Sequence, residues 1–332
     1  MSTTSHQYRF CLHPTQSPTY HNLHHYLQEK KWIRSTCIEE SDFNELNFEF
    51  NLEAAESLEF KHLLASLVQK LCVGAMPATY CIDDCNWMSV LGQLEKVSTQ
   101  RTYGEEPLVW ILKPSLLNNG KHIKIFQQLS DLKNHYLSAN RLGGEHVLQQ
   151  YLTKPHLLNG HKYSIRMFVV ITNYAGAYLY PDGYLNVAKY VYQPTGFDDL
   201  RSHLTNEHLR HDESNVTQVP TKPIPGFIYI YQQIKRIVSA VIKGLKQLYP
   251  QAFVAEERRT LAIFGFDFIV DSDLRAWLLE ANHGPCFPCN ADHPLQHRLY
   301  DEFWQAFITS FVEPIASKSQ VQQIGYQTFE LV

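Results

Sequence analysis

Apolar and polar residues alternate most regularly between residues 264 and 285. Two apolar runs, at 264–270 and 277–279, flank a polar stretch at 271–275 that contains Asp and Ser. Apolar runs separated by a short polar turn are typical of a β-hairpin. We therefore predict two adjacent antiparallel strands in this region.

Three oxygen-bearing side chains lie at positions of this hairpin that share a face. Side chains in a strand alternate between its two faces, so Asp267 lies with Gly265 and Ile269, and Glu280 lies with Asn282. An Asp inside an apolar strand is costly to bury unless its charge is compensated. Two carboxylates and an amide suit Mg²⁺ that bridges the phosphates of a nucleotide. The alternative is that these acids end their strands and form ordinary hydrogen bonds.

The same periodicity predicts the other elements of the chain. Apolar residues at helical spacing predict helices at residues 58–71, 87–97, 127–140, 227–248 and 294–311. Short apolar runs predict strands at residues 76–82, 108–113, 123–126, 147–152 and 163–172. We predict a second hairpin over residues 177–192 that turns at Pro181-Asp182-Gly183, a surface loop at 211–226 and a tail at 313–332.

The composition is that of an ordinary globular protein, and the length of the chain suggests about two domains. The 332 residues are 44% hydrophobic and 19% charged, with a net charge of −4. This charge gives no global basic field, so we expect no nucleic-acid partner. No apolar run is long enough to span a bilayer, and the first residues lack the features of a Sec-type signal peptide. Together with seven cysteines, an odd number, this predicts a cytoplasmic protein, with non-classical export left open.

Basic side chains mark two further candidate positions. Lys113 ends an apolar strand, and the polar loop 115–122 that follows has a second lysine, Lys121, before the next strand, which is compatible with a flap over phosphates or with an ordinary exposed turn. In the strand at 163–172 and just before it, Lys162, Ser164 and Arg166 share one face. An Arg within a strand needs an anionic partner, which is either a ligand phosphate or carboxylate or a structural ion pair.

A cysteine pair follows the hairpin. Cys286 and Cys289 are spaced C-x-x-C, with His293 and His297 behind them. Such a set can hold zinc, but the gap between the two pairs is three residues rather than the ~12 usual in a zinc finger. A redox pair and simple packing or loop cysteines are the alternatives.

Taken in order, these pieces resemble the tubulin–tyrosine ligase-like family of the ATP-grasp superfamily. The matching segments cover residues 76 to 285 and are MPATY, WILKPSLLNNGKHI, QQYLTKPHLL, HKYSIR, YPDGYLNVAKYVY, HLTN and FGFDFIVDSDLRAWLLEANHGP. The resemblance implies an α/β (α+β) ATP-grasp fold that holds a nucleotide between two lobes. We expect a small N-terminal α/β lobe at 1–75, a central lobe at 76–150, a C-terminal lobe at 151–313 and a tail at 314–332.

The resemblance also implies roles for individual residues. Lys113 would reach the nucleotide phosphates beneath a loop at 118–122, in which His122 stands where the family usually has Gly. The hinge that pairs with adenine would be formed by Gln149, Gln150, Tyr151 and Leu152. Lys154 and Arg166 would neutralise phosphate charge during catalysis, and Lys162 would lie near the ribose and phosphates. Asp267, Glu280 and Asn282 match the magnesium ligands, in agreement with the hairpin geometry.

Two positions depart from the family pattern. Ser164 replaces an Asp; it could still bind the nucleotide through a hydrogen bond to a sugar hydroxyl, but it brings no charge. Asn186 replaces an Arg that is expected to meet the anionic end of the reacting group. Lys189, three residues further on, could substitute for that Arg only if a bulge intervenes.

The implied activity is ATP- and Mg²⁺-dependent ligation of a free amino acid to a protein carboxylate through an acylphosphate. Tubulin is one candidate acceptor. A degenerate nucleotide-binding module and an ATP-grasp ligase for small molecules or peptides are the alternatives.

Overall fold

The computed structural model describes residues 7–100, 107–206, 208–210, 213–288, 292–321 and 328–332. The first part of the chain forms a short parallel sheet and three helices. Its elements are β1 (Arg9–Cys11), α1 (Pro18–Glu29), β2 (Ile33–Arg34), β3 (Phe43–Asn44), a 3₁₀ turn at Glu45–Phe48, α2 (Leu52–Glu59) and α3 (Lys61–Leu71).

The single helix predicted at 58–71 is wrong, because the helix breaks at Phe60. Phe60 has an extended backbone, with φ −79° and ψ 119°, and it separates α2 from α3. Leu58 and Leu64 on either side are both fully buried. The apolar spacing therefore continues across the break, and periodicity alone did not reveal the turn.

The second part of the chain is a four-stranded antiparallel sheet with two helices. In chain order it contains β4 (Thr79–Ile82), α4 (Trp87–Thr99), β5 (Trp110–Pro114), β6 (Lys124–Phe126), α5 (Leu129–Leu137) and β7 (His146–Gln150). The strand order is β4-β7-β5-β6. Trp110 and Leu112 pack against the helices, while the alternate residues Ile111 and Lys113 line a cavity on the opposite face.

The third part is built on a seven-stranded antiparallel sheet. Its first elements are β8 (Leu157–Leu158), β9 (His161–Thr172), β10 (Gly176–Val191), a 3₁₀ turn at Leu200–Ser202, β11 (His208–Arg210), β12 (Glu213–Ser214), β13 (Val216–Pro220) and α6 (Phe227–Leu248). A 3₁₀ turn at Pro250–Phe253, β14 (Leu261–Val270), β15 (Ala276–His283), π-helical turns at Gln296–Tyr300 and Ile308–Val312, α7 (Asp301–Phe307), α8 (Glu313–Ala316) and β16 (Glu330–Leu331) follow. The main strand order is β13-β10-β9-β14-β15, with β8 beside β9 and β16 beside β10.

Both faces of this large sheet are covered. One face carries Phe264, Phe266 and Phe268 and packs against α2, α3 and α6. The other face carries Phe168 and Val170, which pack against α1 and the C-terminal helices. Toward the other end of the strands, this second face turns polar and forms the floor of the cavity. The four-stranded and seven-stranded sheets enclose one cavity, which confirms the mixed α+β, ATP-grasp fold. The lobe boundaries stay a prediction.

The hairpin predicted at 177–192 is also wrong, because β10 runs straight through the Pro-Asp-Gly sequence. The register jumps from Leu179 opposite Val169 to Gly183 opposite Met167, so the extra residues form a bulge. Asp182 is buried there and accepts hydrogen bonds from the Gly183 N–H (2.8 Å) and the Thr221 hydroxyl (2.5 Å). The bulge keeps the strand intact where the local sequence favours a turn.

Two short strands, Glu213–Ser214 and Val216–Pro220, occupy part of the predicted surface loop. Val216–Pro220 pairs with residues 184–188 of β10 at the edge of the sheet, where a proline is tolerated. In the predicted tail, residues 313–316 are helical and Glu330–Leu331 pairs with β10. The predicted hairpin at 264–279 and the helix at Phe227–Leu248 are confirmed.

Candidate active site

A cavity of about 480 Å³ lies between the two sheets. Its lining contains eleven of the twelve residues that the sequence predicted for the site: Lys113, Gln149, Gln150, Tyr151, Leu152, Lys162, Ser164, Arg166, Asp267, Glu280 and Asn282. Lys154 is the exception, because its side chain is exposed and lies outside the lining. The fold therefore brings together residues separated by up to 169 positions of the chain (113 to 282).

The predicted acidic cluster is assembled at one edge of the floor. Asp267 lies opposite Glu280 in the hairpin register, and Gly265 lies opposite Asn282. The Asn282 amide donates to Asp267 Oδ2 (3.2 Å) and to Glu280 Oε1 (3.4 Å). Burial alone would raise the pKa of Glu280, but the charges of Lys61, Lys113 and Arg166 together lower it. Glu280 is therefore ionised at neutral pH.

Arg166 and Asp267 form a bidentate ion pair across β9 and β14. The Nε–Oδ1 distance is 2.6 Å and the Nη2–Oδ2 distance is 2.5 Å. Burial raises the pKa of Asp267, against the effect of Arg166. A Cβ at Gly265 would lie 2.9 Å from Arg166 Cδ, so the bare glycine leaves room for the guanidinium. The anionic partner that the strand arginine requires is thus a structural carboxylate.

Two lysines in the cavity lining are bonded to neutral groups. Lys113 Nζ donates to Gln149 Oε1 (2.9 Å), and burial lowers its pKa to about 8. Lys162 Nζ donates to the Tyr151 hydroxyl (2.8 Å) and lies 4.0 Å from the centre of that ring. Burial, with a contribution from the charge of Lys113, lowers the pKa of Lys162 to about 7. Burial disfavours the charged form of both ammonium groups, which favours binding of an anion beside them.

The predicted hinge has part of its backbone already bonded within the protein. The Gln150 N–H donates to the Ala78 carbonyl (2.7 Å), and the Tyr151 N–H donates to the Val109 carbonyl (2.8 Å). A purine held at this edge would therefore have to use other backbone groups of residues 149–152. The pairing with adenine stays a prediction.

Lys61 is a site residue that the sequence reasoning missed. It begins α3, is buried, and its Nζ lies 3.5 Å from Glu280 Oε2 and 3.0 Å from the Leu117 carbonyl. The sequence predicts only that it lies in an apolar helix, because the local pattern does not reveal a pairing with a residue 219 positions later. One feature of the sequence does point to Lys61: it is a lysine at a position where the helical pattern predicts burial, and buried lysines are usually paired.

The loop that carries the segment HLTN supplies further lining residues. The Thr205 hydroxyl donates to Ser164 Oγ (2.8 Å), and His203 Nδ1 lies 3.0 Å from the Tyr151 hydroxyl. Burial lowers the pKa of His203 to about 4, so this imidazole is neutral. This segment contributes to the family resemblance, but the local sequence predicts no role for its residues.

The flap is anchored at its start to α3. The Ser115 hydroxyl accepts a hydrogen bond from the His62 backbone N–H (3.1 Å) and also contacts the His62 ring, and His62 Nε2 pairs with Glu145 (2.9 Å). His122 has φ +58°, in the left-handed region that favours glycine. This backbone conformation gives a reason for the glycine that the family usually has at that position.

The zinc set suggested by Cys286, Cys289, His293 and His297 is not assembled in the part of the chain that the structure describes. Cys289 lies outside those residues. The His297 ring is 79% exposed and pairs with Asp301 (2.8 Å), whereas Cys286 and His293 line the cavity. Throughout the described ranges no group of three His, Cys, Asp or Glu side chains has the geometry to hold a metal.

Asp267, Glu280 and Asn282 nevertheless fit a hard divalent cation in their chemistry. Their oxygens belong to the class that Mg²⁺ prefers, and the three end groups already contact one another. Asn282 presents its amide nitrogen to both carboxylates, so it would bind a cation only after its amide turns over. Asp267 would share its oxygens between the ion and Arg166.

No helix among the described residues is both long and apolar enough to cross a bilayer.

The chain matches the model of the tubulin-tyrosine ligase family over residues 88–320. It is 26% identical over 220 residues to "Probable tubulin polyglutamylase TTLL2" of Mus musculus, covering 59% of this chain and 38% of the relative. It is 25% identical over 242 residues to "Tubulin glycylase 3C" of Tetrahymena thermophila, covering 67% of this chain and 22% of the relative.

A third relative, "Probable tubulin polyglutamylase ttll-9" of Caenorhabditis elegans, is 24% identical over 210 residues, covering 58% of this chain and 50% of the relative. The chain thus spans between about a fifth and a half of the length of these curated relatives. The family model covers more than half of the chain and includes every cavity residue predicted from the sequence. The chain belongs to the tubulin-tyrosine ligase family.

Proposed function

We propose that this protein is an ATP-dependent carboxylate–amine ligase that adds an amino acid to a carboxylate of a protein. One observation carries the proposal: cationic side chains and an acidic cluster from two different sheets line one cavity. Lys113 comes from the smaller sheet, and Arg166, Asp267 and Glu280 come from the larger one. Such a site can neutralise and orient a triphosphate between two lobes.

The cations have distinct tasks in this proposal. Lys113 and Lys162 are buried without a carboxylate bonded to them among the described residues, so phosphate oxygens would satisfy their charges. Arg166 is held in one orientation by Asp267 and would present its remaining N–H groups to the transferred phosphoryl group. Lys154, which the sequence predicted for the same task, lies outside the cavity and is left out of the proposal.

Asp267, Glu280 and Asn282 would hold Mg²⁺, as their oxygen chemistry allows. A bound Mg²⁺ would neutralise charge on the triphosphate and help to orient it. Lys61 would keep Glu280 ionised and fixed in position when no ion is bound.

The reaction needs no nucleophile from the protein. An oxygen of the acceptor carboxylate attacks the γ-phosphorus of ATP, the bond to the β–γ bridging oxygen breaks, and ADP leaves with that electron pair. The amine then attacks the acyl carbon of the acylphosphate, and phosphate leaves with the electron pair of the acyl–oxygen bond. The amine loses one proton, and an amide remains. Positioning and charge neutralisation by the cavity residues supply the catalysis.

The acceptor is proposed to be a protein, with tubulin as one candidate. The relatives are named as tubulin polyglutamylases and a tubulin glycylase, and the chain covers only part of their length. We expect the enzyme to act in the cytoplasm.

The proposal is tested in two steps. Thermal unfolding with and without ATP and Mg²⁺ first asks whether the cavity binds the nucleotide, and we expect a rise in the midpoint that requires both. Proteins of a cell lysate are then incubated with the enzyme, ATP and labelled amino acids, and intact masses are measured. A mass increase equal to one or more amino-acid residues supports the proposal. No stabilisation by ATP would overturn it.

A second candidate function is a nucleotide-binding module without ligase activity, which the positions of Ser164 and Asn186 favour. Both residues line the cavity, and neither supplies the charge that the family pattern places there. Lys189 does not replace it, since its side chain is exposed and lies outside the lining, although a register shift does occur between Val187 and Val191. Stabilisation by ATP and Mg²⁺ without ATP consumption under any acceptor condition would favour this candidate.

A further inference from the structure

The polarity of the cavity floor changes in a regular way across the large sheet. At the β15 side, Glu280 lies opposite Asp267, which lies opposite Arg166 of β9. Two residues further along β9, Ser164 lies opposite Asn186 of β10, and Asn186 lies opposite Gln218 of β13. The floor therefore runs from acidic, through cationic, to neutral amide side chains.

The neutral end consists of one hydrogen-bonded pair of amides. Gln218 Nε2 donates to Asn186 Oδ1 over 3.2 Å, and both side chains are half-buried and line the cavity. Within the described ranges, no other protein group bonds to Asn186 Nδ2 or to Gln218 Oε1. The pair thus keeps one amide nitrogen as a donor and one amide oxygen as an acceptor.

The cations that line the cavity are engaged elsewhere. Among the described lining residues, Lys113 bonds to Gln149, Lys162 bonds to Tyr151 and Arg166 holds Asp267. A carboxylate placed over the amide pair could accept from Asn186 Nδ2, but it has no N–H to donate to Gln218 Oε1 and would face the lone pairs of that oxygen without a described cation bonded to it. Burying such a charge without a partner is costly, whereas a neutral amide loses little.

We propose that the Asn186–Gln218 pair binds a carboxamide or peptide group, so that the incoming amine belongs to an amino-acid amide or to the N-terminal residue of a peptide. This inference rests on the proposed function and refines its amine substrate. The C=O of such a group accepts from Asn186 Nδ2, and its N–H donates to Gln218 Oε1. A site built around two hydrogen bonds rejects an analogue that cannot form both.

The test compares matched ligands on the whole chain saturated with Mg²⁺ and a non-hydrolysable ATP analogue. Glycine, glycinamide and glycine methyl ester form one set, and the corresponding forms of tyrosine form a second. The ester has the same charge as the amide but lacks its N–H donors, so it separates amide recognition from net charge. Ligand-detected NMR titration measures each dissociation constant. We expect the amide to bind at least about tenfold more tightly than the acid or the ester.

Two variants test the assignment to these residues. Asn186→Arg introduces a cation and should reverse the order, so that the acid binds more tightly than the amide. Gln218→Leu should remove the preference for the amide over the ester without favouring the acid. Asn134→Arg, on the exposed side of α5, is the matched control and should behave like the natural protein.

The outcomes separate this inference from the proposed function. Failure of ATP and Mg²⁺ to stabilise the natural protein would overturn the proposed function and this inference with it. Nucleotide binding together with tighter binding of the acid, with equal binding of all three forms, or with no binding of any of them would overturn the amide assignment alone. Each variant must retain the nucleotide-induced rise in unfolding temperature, which shows that the nucleotide site is intact. If Asn186→Arg loses this rise, the ligand preferences of Gln218→Leu alone test the amide assignment.

Discussion

Replacing Glu280 with Gln separates the charge of this side chain from its shape. The amide of Gln is nearly isosteric with the carboxylate and can still accept the hydrogen bond from Asn282. The substitution removes the negative charge that faces Lys61 and deletes one of two carboxylates from the proposed magnesium set. We therefore expect a modest loss of stability and a large loss of turnover.

The stability effect follows from the contact with Lys61. Breaking a fully buried ion pair by removing one partner costs about 3–5 kcal/mol. The cost here is smaller, about 2 kcal/mol, because the Glu280 side chain is 23% exposed and Lys61 keeps its bond to the Leu117 carbonyl. For a chain of 332 residues this corresponds to a fall of about 3 °C in the midpoint of thermal unfolding.

The catalytic effect should be larger than the stability effect. Removing one preorganised charged group from a site that stabilises developing charge costs about 3–4 kcal/mol of transition-state stabilisation. Turnover should therefore fall by roughly 10²- to 10³-fold. The rise in unfolding temperature caused by ATP should also lose most of its dependence on Mg²⁺.

The assay measures thermal unfolding with and without ATP and Mg²⁺, and phosphate release under whichever acceptor condition gives turnover. Glu95→Gln, at an exposed position of α4, is the control for the loss of one surface charge. Lys61→Met combined with Glu280→Gln should lose less stability than the sum of the two single variants, because the pair is removed together. Natural-protein turnover and unchanged Mg²⁺ dependence in Glu280→Gln would refute the assignment of the metal set.

Three further predictions concern other parts of the site. Nucleotide binding near pH 8 should take up protons, because burial lowers the pKa of Lys162 to about 7 and a bound phosphate raises this pKa again. The affinity for the nucleotide should therefore fall as the pH rises from 7 to 9. Calorimetry in buffers of different ionisation enthalpy measures this uptake, and Lys162→Met should reduce it. Gly183→Ala should destabilise the fold by about 3 kcal/mol or more in denaturant titration, since its Cβ would lie 2.1 Å from the Arg166 carbonyl oxygen. Ser115→Ala should cost about 1–2 kcal/mol in the same assay, because α3 loses the hydroxyl that accepts the His62 N–H.

A specific experimental result would contradict each of these three predictions. Proton uptake that is the same in the natural protein and in Lys162→Met would show that this lysine is already charged in the free enzyme. The pH dependence of the free energy of unfolding provides a second check on the lowered pKa of Lys162. Since the pKa of Lys162 in the unfolded chain is higher than in the folded protein, the free energy of unfolding should rise with pH above 7. An unchanged denaturation midpoint in Gly183→Ala or in Ser115→Ala would mean that the bulge or the flap anchor can rearrange freely.

The sequence by itself determined the local parts of this site. A strand has a side-chain period of two, so the placement of Asp267 on the polar face of the hairpin, and of Glu280 with Asn282, followed from spacing alone. The same rule placed Lys162, Ser164 and Arg166 on one face. These predictions hold because the relevant residues are neighbours within one or two elements.

The tertiary structure decided which distant groups meet. Lys61 reaches Glu280, and Gln218 reaches Asn186, because helix packing and strand order bring together segments that the local pattern treats independently. The break at Phe60 and the continuous strand through Pro181-Asp182-Gly183 were missed for a related reason. Buried contacts and a cross-strand ladder fix the backbone there, and they outweigh the preference of the local sequence.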